Sequence, residues 1–539
     1  MVSRMVSLSP RFYLTCLAVA LLMPGWAQSE DRLLRRVIDR ETQAVWADQK
    51  IAPPGRATDT VFLRRVYLDL VGMIPAYDET VAFLADNHPS KRELLIDKLL
   101  ADPRHARQQA QVWDILLLGR SPNGIGHPNN RTRFRQWLGD QFQNNVPYDR
   151  FVQKLLTAEE DGSQLFYVVH RDADELAAAT MRIFLGRQLQ CAKCHNHPFE
   201  PWTQRDYYGM AGFFVRTYVK EGEQQDHVTR FFVAEKSTGD VSFTVVPKDA
   251  PPGFKGTPVK PKFLDGEELH EPALPQDFKE PESKGKTAPP PPLFSRRQKV
   301  VDWITSRENP FLAQAVVNRV WAQLLGRGLV HPADDFHSAN APSHPALLRV
   351  MQAEFVEHGF DLKWLIREMV NSNAYQAEDT GAVDDAMPKF YERARVRPLS
   401  AEEWLASLHL ATGLGIESAV KSAPSGDMLK YLGQPTDGQG AFQGSLSEHL
   451  FLHNGDGFRG LCHPRNGNLP EQLVKSEEGW EAKVERMFLS ILSRPPTAVE
   501  RQQFVQYLNP EPSDAKVRSQ RMEEAFWVLV TCSEFRFNR

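Results

Sequence analysis

The sequence predicts a mainly α-helical protein: two helical domains joined by a short β-hairpin and a proline-rich linker. Apolar residues recur at three- and four-residue spacing through both halves, with N-caps and glycine stops between the runs. One stretch near the middle switches to strict alternation, and a proline-dense segment follows it. With 42% hydrophobic and 24% charged residues, the 539-residue chain has apolar side chains for two or three cores, which excludes wholesale disorder. Lys plus Arg total 64 against 68 Asp plus Glu, so there is no basic field to hold nucleic acid.

Residues 1–27 read as a secretory signal peptide: Arg4 and Arg11 precede the apolar run Phe12 to Pro24, and Gly25-Trp26-Ala27 supplies small residues for cleavage. The alternative is an uncleaved anchor. No other stretch is long and apolar enough to span a bilayer. This places the body in an exported, oxidising compartment, periplasmic or associated with the cell envelope.

Residues 28–220 form the first helical domain. Arg35 to Trp46 and Asp59 to Leu70 carry helical spacing, as in Phe62, Val66 and Leu70. Pro75 with Asp78 and Glu79 opens the next helix, and Ser90 with Glu93 reads as a capping box before Leu94 to Leu100. Pro496, Glu500 and Phe504 repeat the offsets of Pro75, Glu79 and Phe83, a weak internal echo built from generic start signals. Residues 221–292 hold the hairpin, read as Phe231-Phe232-Val233 against Val241, Phe243 and Val245 around Thr238-Gly239-Asp240. From Pro251 to Pro292 there are 11 of the 38 prolines, which favours an extended spacer. Residues 293–539 are helical again, with runs at Val300 to Ser306, Pro310 to Leu325, His344 to His358 and Leu362 to Ser372.

The feature that carries chemistry is Cys191-Ala192-Lys193-Cys194-His195, a C-x-x-C-H. Two thiols at this spacing can each form a thioether to one porphyrin, and the imidazole beside them can reach the iron, which gives haem c as the cofactor. With few cysteines and histidines, chance produces such a string about once in a thousand chains of this composition. A helix from Asp172, with Glu175 as a box-like cap, precedes it, and Gly186 inside that helix suggests close approach by something flat or by another helix. Downstream, Thr203 to Asp206 is a capping box for a helix carrying Tyr207, Tyr208, Met210, Phe213 and Phe214, which either wall the macrocycle or pack the core. Met210 is a candidate distal ligand, and a sixth position left open is the other. Two further readings stand beside haem: zinc or another transition metal held by Cys191, Cys194, His195 and His197, and a plain disulfide between Cys191 and Cys194.

These residues resemble a known family. Asp59 with Phe62-Leu63-Arg64-Arg65-Val66-Tyr67-Leu68-Asp69-Leu70-Val71-Gly72, the stretch from Leu185-Gly186 through the C-x-x-C-H to Asn196-His197-Pro198-Phe199, and Trp202 to Gly209 resemble the planctomycete-specific cytochrome-like domain. Asn309-Pro310-Phe311, Val317 to Trp321, Gly326 to Val330 and Pro342 to Pro345, together with Pro261 to Gly266, resemble its usual partner, the planctomycete-specific C-terminal domain. The resemblance implies the helical fold, export and the pairing of the domains. Both families are of unknown function, and the cytochrome label rests on the C-x-x-C-H itself. Met210, Gly212 and Cys462-His463 depart from the pattern.

A second metal candidate lies in the other half, where Asp334, Asp335 and His337, with His344 nearby, offer carboxylates and imidazoles to a hydrolytic metal ion. The bland alternative is a polar loop whose side chains cap helices. Cys462 and Cys532 are left as one candidate disulfide pair. Three functions follow: an exported haem c protein transferring electrons to a redox partner protein, a metal-dependent hydrolase or binding protein, and a structural or interaction protein of the cell surface.

Overall fold

A computed structural model describes residues 33–120, 124–243, 256–264, 266–283, 285–379, 389–432, 446–454, 456–509 and 514–539. The proposed leader lies outside them. The first half runs through α1 (Leu34–Gln49), α2 (Asp59–Val71), α3 (Tyr77–Ala85), α4 (Lys91–Ala101), α5 (Pro103–Leu118), α6 (Pro128–Gln143), α7 (Tyr148–Thr157), α8 (Leu165–Val169) and α9 (Ala173–Leu185). A 3-10 turn, Leu189–Lys193, leads to α10 (Gln204–Ala211). Strands β1 (Thr217–Gln225), β2 (Val228–Glu235), β3 (Val241–Phe243) and β4 (Thr257–Val259) follow. The second half opens with α11 (Arg296–Ile304), α12 (Pro310–Leu325), α13 (Pro345–Glu357) and α14 (Leu362–Val370). After β5 (Arg397–Pro398) come α15 (Ala401–Ala411), α16 (Gly415–Lys421), α17 (Gly426–Leu432), α18 (Leu446–Asn454) and α19 (Asp456–Cys462). The chain closes with α20 (Leu469–Lys475), α21 (Trp480–Ile491), α22 (Ala498–Leu508), α23 (Ala515–Thr531), α24 (Ser533–Arg536) and β6 (Phe537–Asn538). The fold is mainly α, as the spacing predicts, and each described sheet has two strands. Among the described residues no helix is long and apolar enough to cross a membrane.

One cluster of buried apolar side chains runs through both halves. Its hub is α2, buried from Phe62 to Val71 on every face, charged residues included. Those charges join the halves. Arg64 donates to the carbonyls of Ile491 and Phe535, and Arg65 to those of Tyr375, Ala377 and Arg539. Asp69 accepts from Tyr375 Oη at 2.9 Å and from Arg395, Arg397 and Asn538. Charges so far from water persist only when they are paired or hydrogen-bonded, so this helix binds remote chain segments as well as filling the core, with Arg64 Nε and one Arg65 terminal nitrogen left over. Glu93 is drawn into the same seam: it pairs with Arg35 and Arg367, and Ser90 makes no side-chain cap. The two echoed segments do open alike, Glu79 accepting from the Ala76 N–H at 2.8 Å and Glu500 from the Thr497 N–H at 2.7 Å.

The hairpin forms one strand earlier than the alternation suggests. β2 pairs antiparallel with β1, with Phe231 opposite Glu221 and Val233 opposite Val219, while β3 pairs with β4. Polar β1, Thr-Tyr-Val-Lys-Glu-Gly-Glu-Gln-Gln, shows no alternation to read. The described residues of the proline-rich segment are non-helical as expected, yet they lie along the body rather than spacing two parts. Glu271 pairs with both Arg216 and Arg296, Lys262 Nζ reaches Asp206 at 2.6 Å, and Val259 and Leu264 are buried. A Cβ on Gly209 would stand 2.9 Å from Lys262 Cβ, and one on Gly212 3.2 Å from Pro261 Cα, so these glycines let the segment lie on α10.

Cys462 and Cys532 are both free thiols. Residues flanking Cys462, Arg459 and His463, hold Glu523 on α23, nine residues before Cys532. At 1.5 Å per residue that separation is about 13 Å along the helix, well beyond disulfide reach. Burial pushes the Cys462 thiol up to about 12.

Candidate functional site

Helix α9 stops at Gly186, which takes φ +66° as the left-handed residue after the helix rather than lying inside it. The flat neighbour expected there is a ring from the other half: a Cβ on Gly186 would meet the Phe336 ring at 2.8 Å, and Phe336 N–H donates to the Gly186 carbonyl at 3.0 Å. The chain then turns through Leu189–Lys193, with Leu189 and Ala192 buried as its anchors. Anchoring those two leaves Cys191, Lys193, Cys194 and His195 exposed. Both thiols are free. Lys193 Nζ is held by Asp174 at 2.5 Å, which steadies the turn against the start of α9.

The imidazole of His195 is set by its neighbour. Nδ1 lies 2.7 Å from the Asn196 carbonyl, an acceptor only, so Nδ1 carries the proton and Nε2 keeps its lone pair. That is the tautomer a metal or haem iron requires of a ligand. His197 is spent differently. Its Nδ1 accepts from the N–H groups of Phe199 and Glu200, its own N–H donates to Trp202, and burial lowers its pKa against the pull of the Gln188 carbonyl. Here the ring ties the loop together and does not join the two thiols.

The capping box at α10 forms as read: Thr203 Oγ1 accepts from Asp206 N–H, and Thr203 N–H donates to the Asp206 carboxylate. At α9 Asp172 precedes the helix without a side-chain cap. The α10 aromatics turn inward. Tyr207, Met210, Phe213 and Phe214 are at most 2% exposed and belong to the core, so Met210 is not presented beside the exposed C-x-x-C-H.

The second candidate set does not act as one cluster. Asp334, fully buried, pairs with Arg182 at 3.1 Å and accepts from Gln188, so it caps the seam between the halves. Asp335 stands 3.6 Å from His337 Nε2, and His337 Nδ1 accepts from Ala339 N–H. His344 lies buried against Tyr391, hydrogen-bonded to Ser343, with its pKa lowered to about 4 by burial. Among the described residues no three His, Cys, Asp or Glu side chains are placed to hold a metal ion.

The two candidate regions nonetheless meet. The Phe199 ring, 54% exposed, stacks on His337 at 4.6 Å and 15°. Ser338 donates its N–H to the Glu200 carboxylate and its hydroxyl to the Phe199 carbonyl at 2.6 Å. Sequence reasoning missed this clasp, because Glu200 and Ser338 lie in separate loops 138 residues apart with no shared pattern. Arg319, within apolar α12, donates to the last carbonyls of α9.

A helical body whose two halves share a core and clasp an exposed C-x-x-C-H turn defines the class. Residues 37–218 match the PSCyt2 model, described as a protein of unknown function (DUF1549), and residues 296–427 match PSD1, a protein of unknown function (DUF1553). The chain thus carries a PSCyt2 domain followed by a PSD1 domain. No curated protein and no solved structure matches it.

Proposed function

We propose that the protein is an exported electron-transfer or redox-support protein carrying one haem c, attached through Cys191 and Cys194 with His195 as iron ligand. The observation that supports this is the joint exposure of two free thiols and an imidazole with an unshared Nε2 on one short turn. Each thioether would form by adding a thiol S–H across a vinyl group, with no electrons lost, so the chain needs only accessible thiols. The bound group would supply one-electron transfer to a redox partner protein. Leu189 and Ala192 fix the turn, Asp174 holds Lys193 beside it, and the Asn196 carbonyl fixes the imidazole proton.

One observation favours a second reading, a structural knuckle. His197, Glu200 and Phe199 bind the loop to the 331–340 segment whether or not anything occupies the thiols.

Expression with the leader in a host competent for cytochrome c maturation separates the two. The haem reading expects a c-type α-band in the reduced pyridine haemochrome spectrum and haem retained after denaturation. Cys194→Ser should prevent double attachment and His195→Ala should change the iron spectrum. A colourless product overturns it: bound zinc at one equivalent would move the site to metal chemistry, and an empty protein to the knuckle.

A further inference from the structure

Away from the C-x-x-C-H, a cleft lies where the two domains meet. From α5 it takes His105 and, one turn along the same face, Gln109; from the start of α14 it takes Lys363. Phe142, Val146 and Ile366 make its wall apolar. The cleft holds about 270 Å³ counted out to its open mouth, and its closed end has room for one water-sized group. His105 is 1% exposed, and its Nδ1 lies 2.9 Å from the Leu70 carbonyl, an acceptor only. Nδ1 therefore carries the proton, and Nε2 offers the cleft a lone pair. Gln109 is buried and Lys363 half-buried, and neither side chain makes a hydrogen bond or ion pair among the described residues. The carboxylate that acts on Lys363, Asp361, is spent on the cap of α14, accepting from Trp364 N–H and Asn145 Nδ2, each at 3.0 Å.

Polar groups withdrawn from water without partners cost free energy that a ligand can return. Here the three groups ask for different things. The ammonium needs an anion, the carboxamide can donate to the same anion, and the imidazole lone pair needs a hydrogen-bond donor. A molecule carrying a carboxylate and a neighbouring hydroxyl meets all three, whereas an amino acid would set its own ammonium against that of Lys363. We propose that this cleft binds a short-chain hydroxy-carboxylate, its carboxylate held by Lys363 and Gln109 and its hydroxyl seated in the closed end, donating to His105 Nε2. The site is independent of the haem reading.

Calorimetric titration of the whole protein at neutral pH and low ionic strength, with glycolate and acetate in separate arms and chloride as control, tests it. Glycolate is expected to bind saturably at one site, and acetate, which lacks the hydroxyl, at least tenfold more weakly. Lys363→Met and Gln109→Leu should each weaken glycolate binding at least tenfold. Lys154→Met, which removes an ammonium already paired with Glu160, should leave it unchanged. If Gln109→Leu fails to fold, the less buried Lys363 carries the test. No saturable glycolate binding, equal affinity for acetate, an equal response to chloride, or unchanged affinity in Lys363→Met overturns the proposal.

Discussion

The turn at Cys191 to His195 and the loop from Gly328 to His344 contain the same kinds of residue and use them in opposite ways. In the turn the polar atoms that matter are left over: two exposed thiols and one imidazole nitrogen. In the loop they are consumed. Asn318, fully buried on α12, donates to the carbonyls of Val330 and Ala333 and accepts from Val330 N–H. Asp334 and His344 are buried with it, and Asn340 donates to the Asp335 carbonyl. Buried polar groups are as a rule matched by partners, so most of the loop's inventory goes into its own shape, His344 Nε2 being left over out of reach of water. Chemistry with an outside group is open to the turn, where the protein has not already used the donors.

The loop side of that contrast is broken most sharply at Gly328. A Cβ there would stand 2.2 Å from the Val330 carbonyl oxygen, which is backbone that cannot step aside, and about 3 Å from the side-chain amide of buried Asn318. Gly328→Ala is expected to lower unfolding free energy by about 4 kcal/mol, combining overpacking with the loss of the Asn318 hydrogen bonds. Urea denaturation checks it, and a loss below about 1 kcal/mol would mean the loop is far softer than its hydrogen bonds imply.

Acid reaches the same buried loop. His344 has an unpaired buried Nε2 and no carboxylate to support a second proton, and its pKa falls to about 4. His105, bonded to the Leu70 carbonyl and buried in the first half, falls likewise to about 4. Both histidines are neutral in either state above pH 6.5, so they are silent there. Below that the unfolded chain binds protons that the folded chain refuses, and stability drops until about pH 4. Each histidine contributes about 3 kcal/mol to that fall. His344→Asn should flatten the stability profile between pH 6.5 and 4, and an unchanged slope would show that His344 protonates without unfolding.

Sequence periodicity located Pro310–Leu325 residue for residue, because that helix has apolar residues at helical spacing, Asn309 as a working cap and Gly326 as a stop. It also gave the position of the C-x-x-C-H, since that motif is local. What it did not give is pairing at a distance. Arg64, Arg65 and Asp69 sit within an apolar helical pattern, and nothing near them in sequence announces partners more than 300 residues on. The hairpin slipped by one strand for the same reason: β2 carries an apolar pattern, but its partner β1 is mostly polar in sequence. Asp334 looked like a ligand because the arginine that pairs with it is 152 residues away.

The clasp between the two regions is a smaller effect. Glu200→Ala removes the acceptor of the Ser338 N–H but leaves the Phe199 and His337 rings stacked, so a loss of about 1 kcal/mol is expected. Hydrogen exchange of residues 196–200 and 337–340 should rise together. A rise on one side alone would mean the two loops are held separately.

The smallest expected effect sharpens the comparison from the other side. Cys191 and Cys194 are exposed, carry no hydrogen bond of their sulfurs among the described residues and support no packing, so the turn is held by Leu189 and Ala192. Cys191→Ser and Cys194→Ser in the cofactor-free chain should therefore stay within about 0.5 kcal/mol of the parent. Cys462→Ser, which exchanges a fully buried thiol for a hydroxyl beside apolar neighbours, should cost about 2 kcal/mol. Such a split between exposed and buried thiols, read in one denaturation series, marks the first pair as free for an outside partner and the second as core. If Cys194→Ser destabilised the empty chain as much as Cys462→Ser, the turn would be a structural knuckle and its exposed sulfurs part of what holds it.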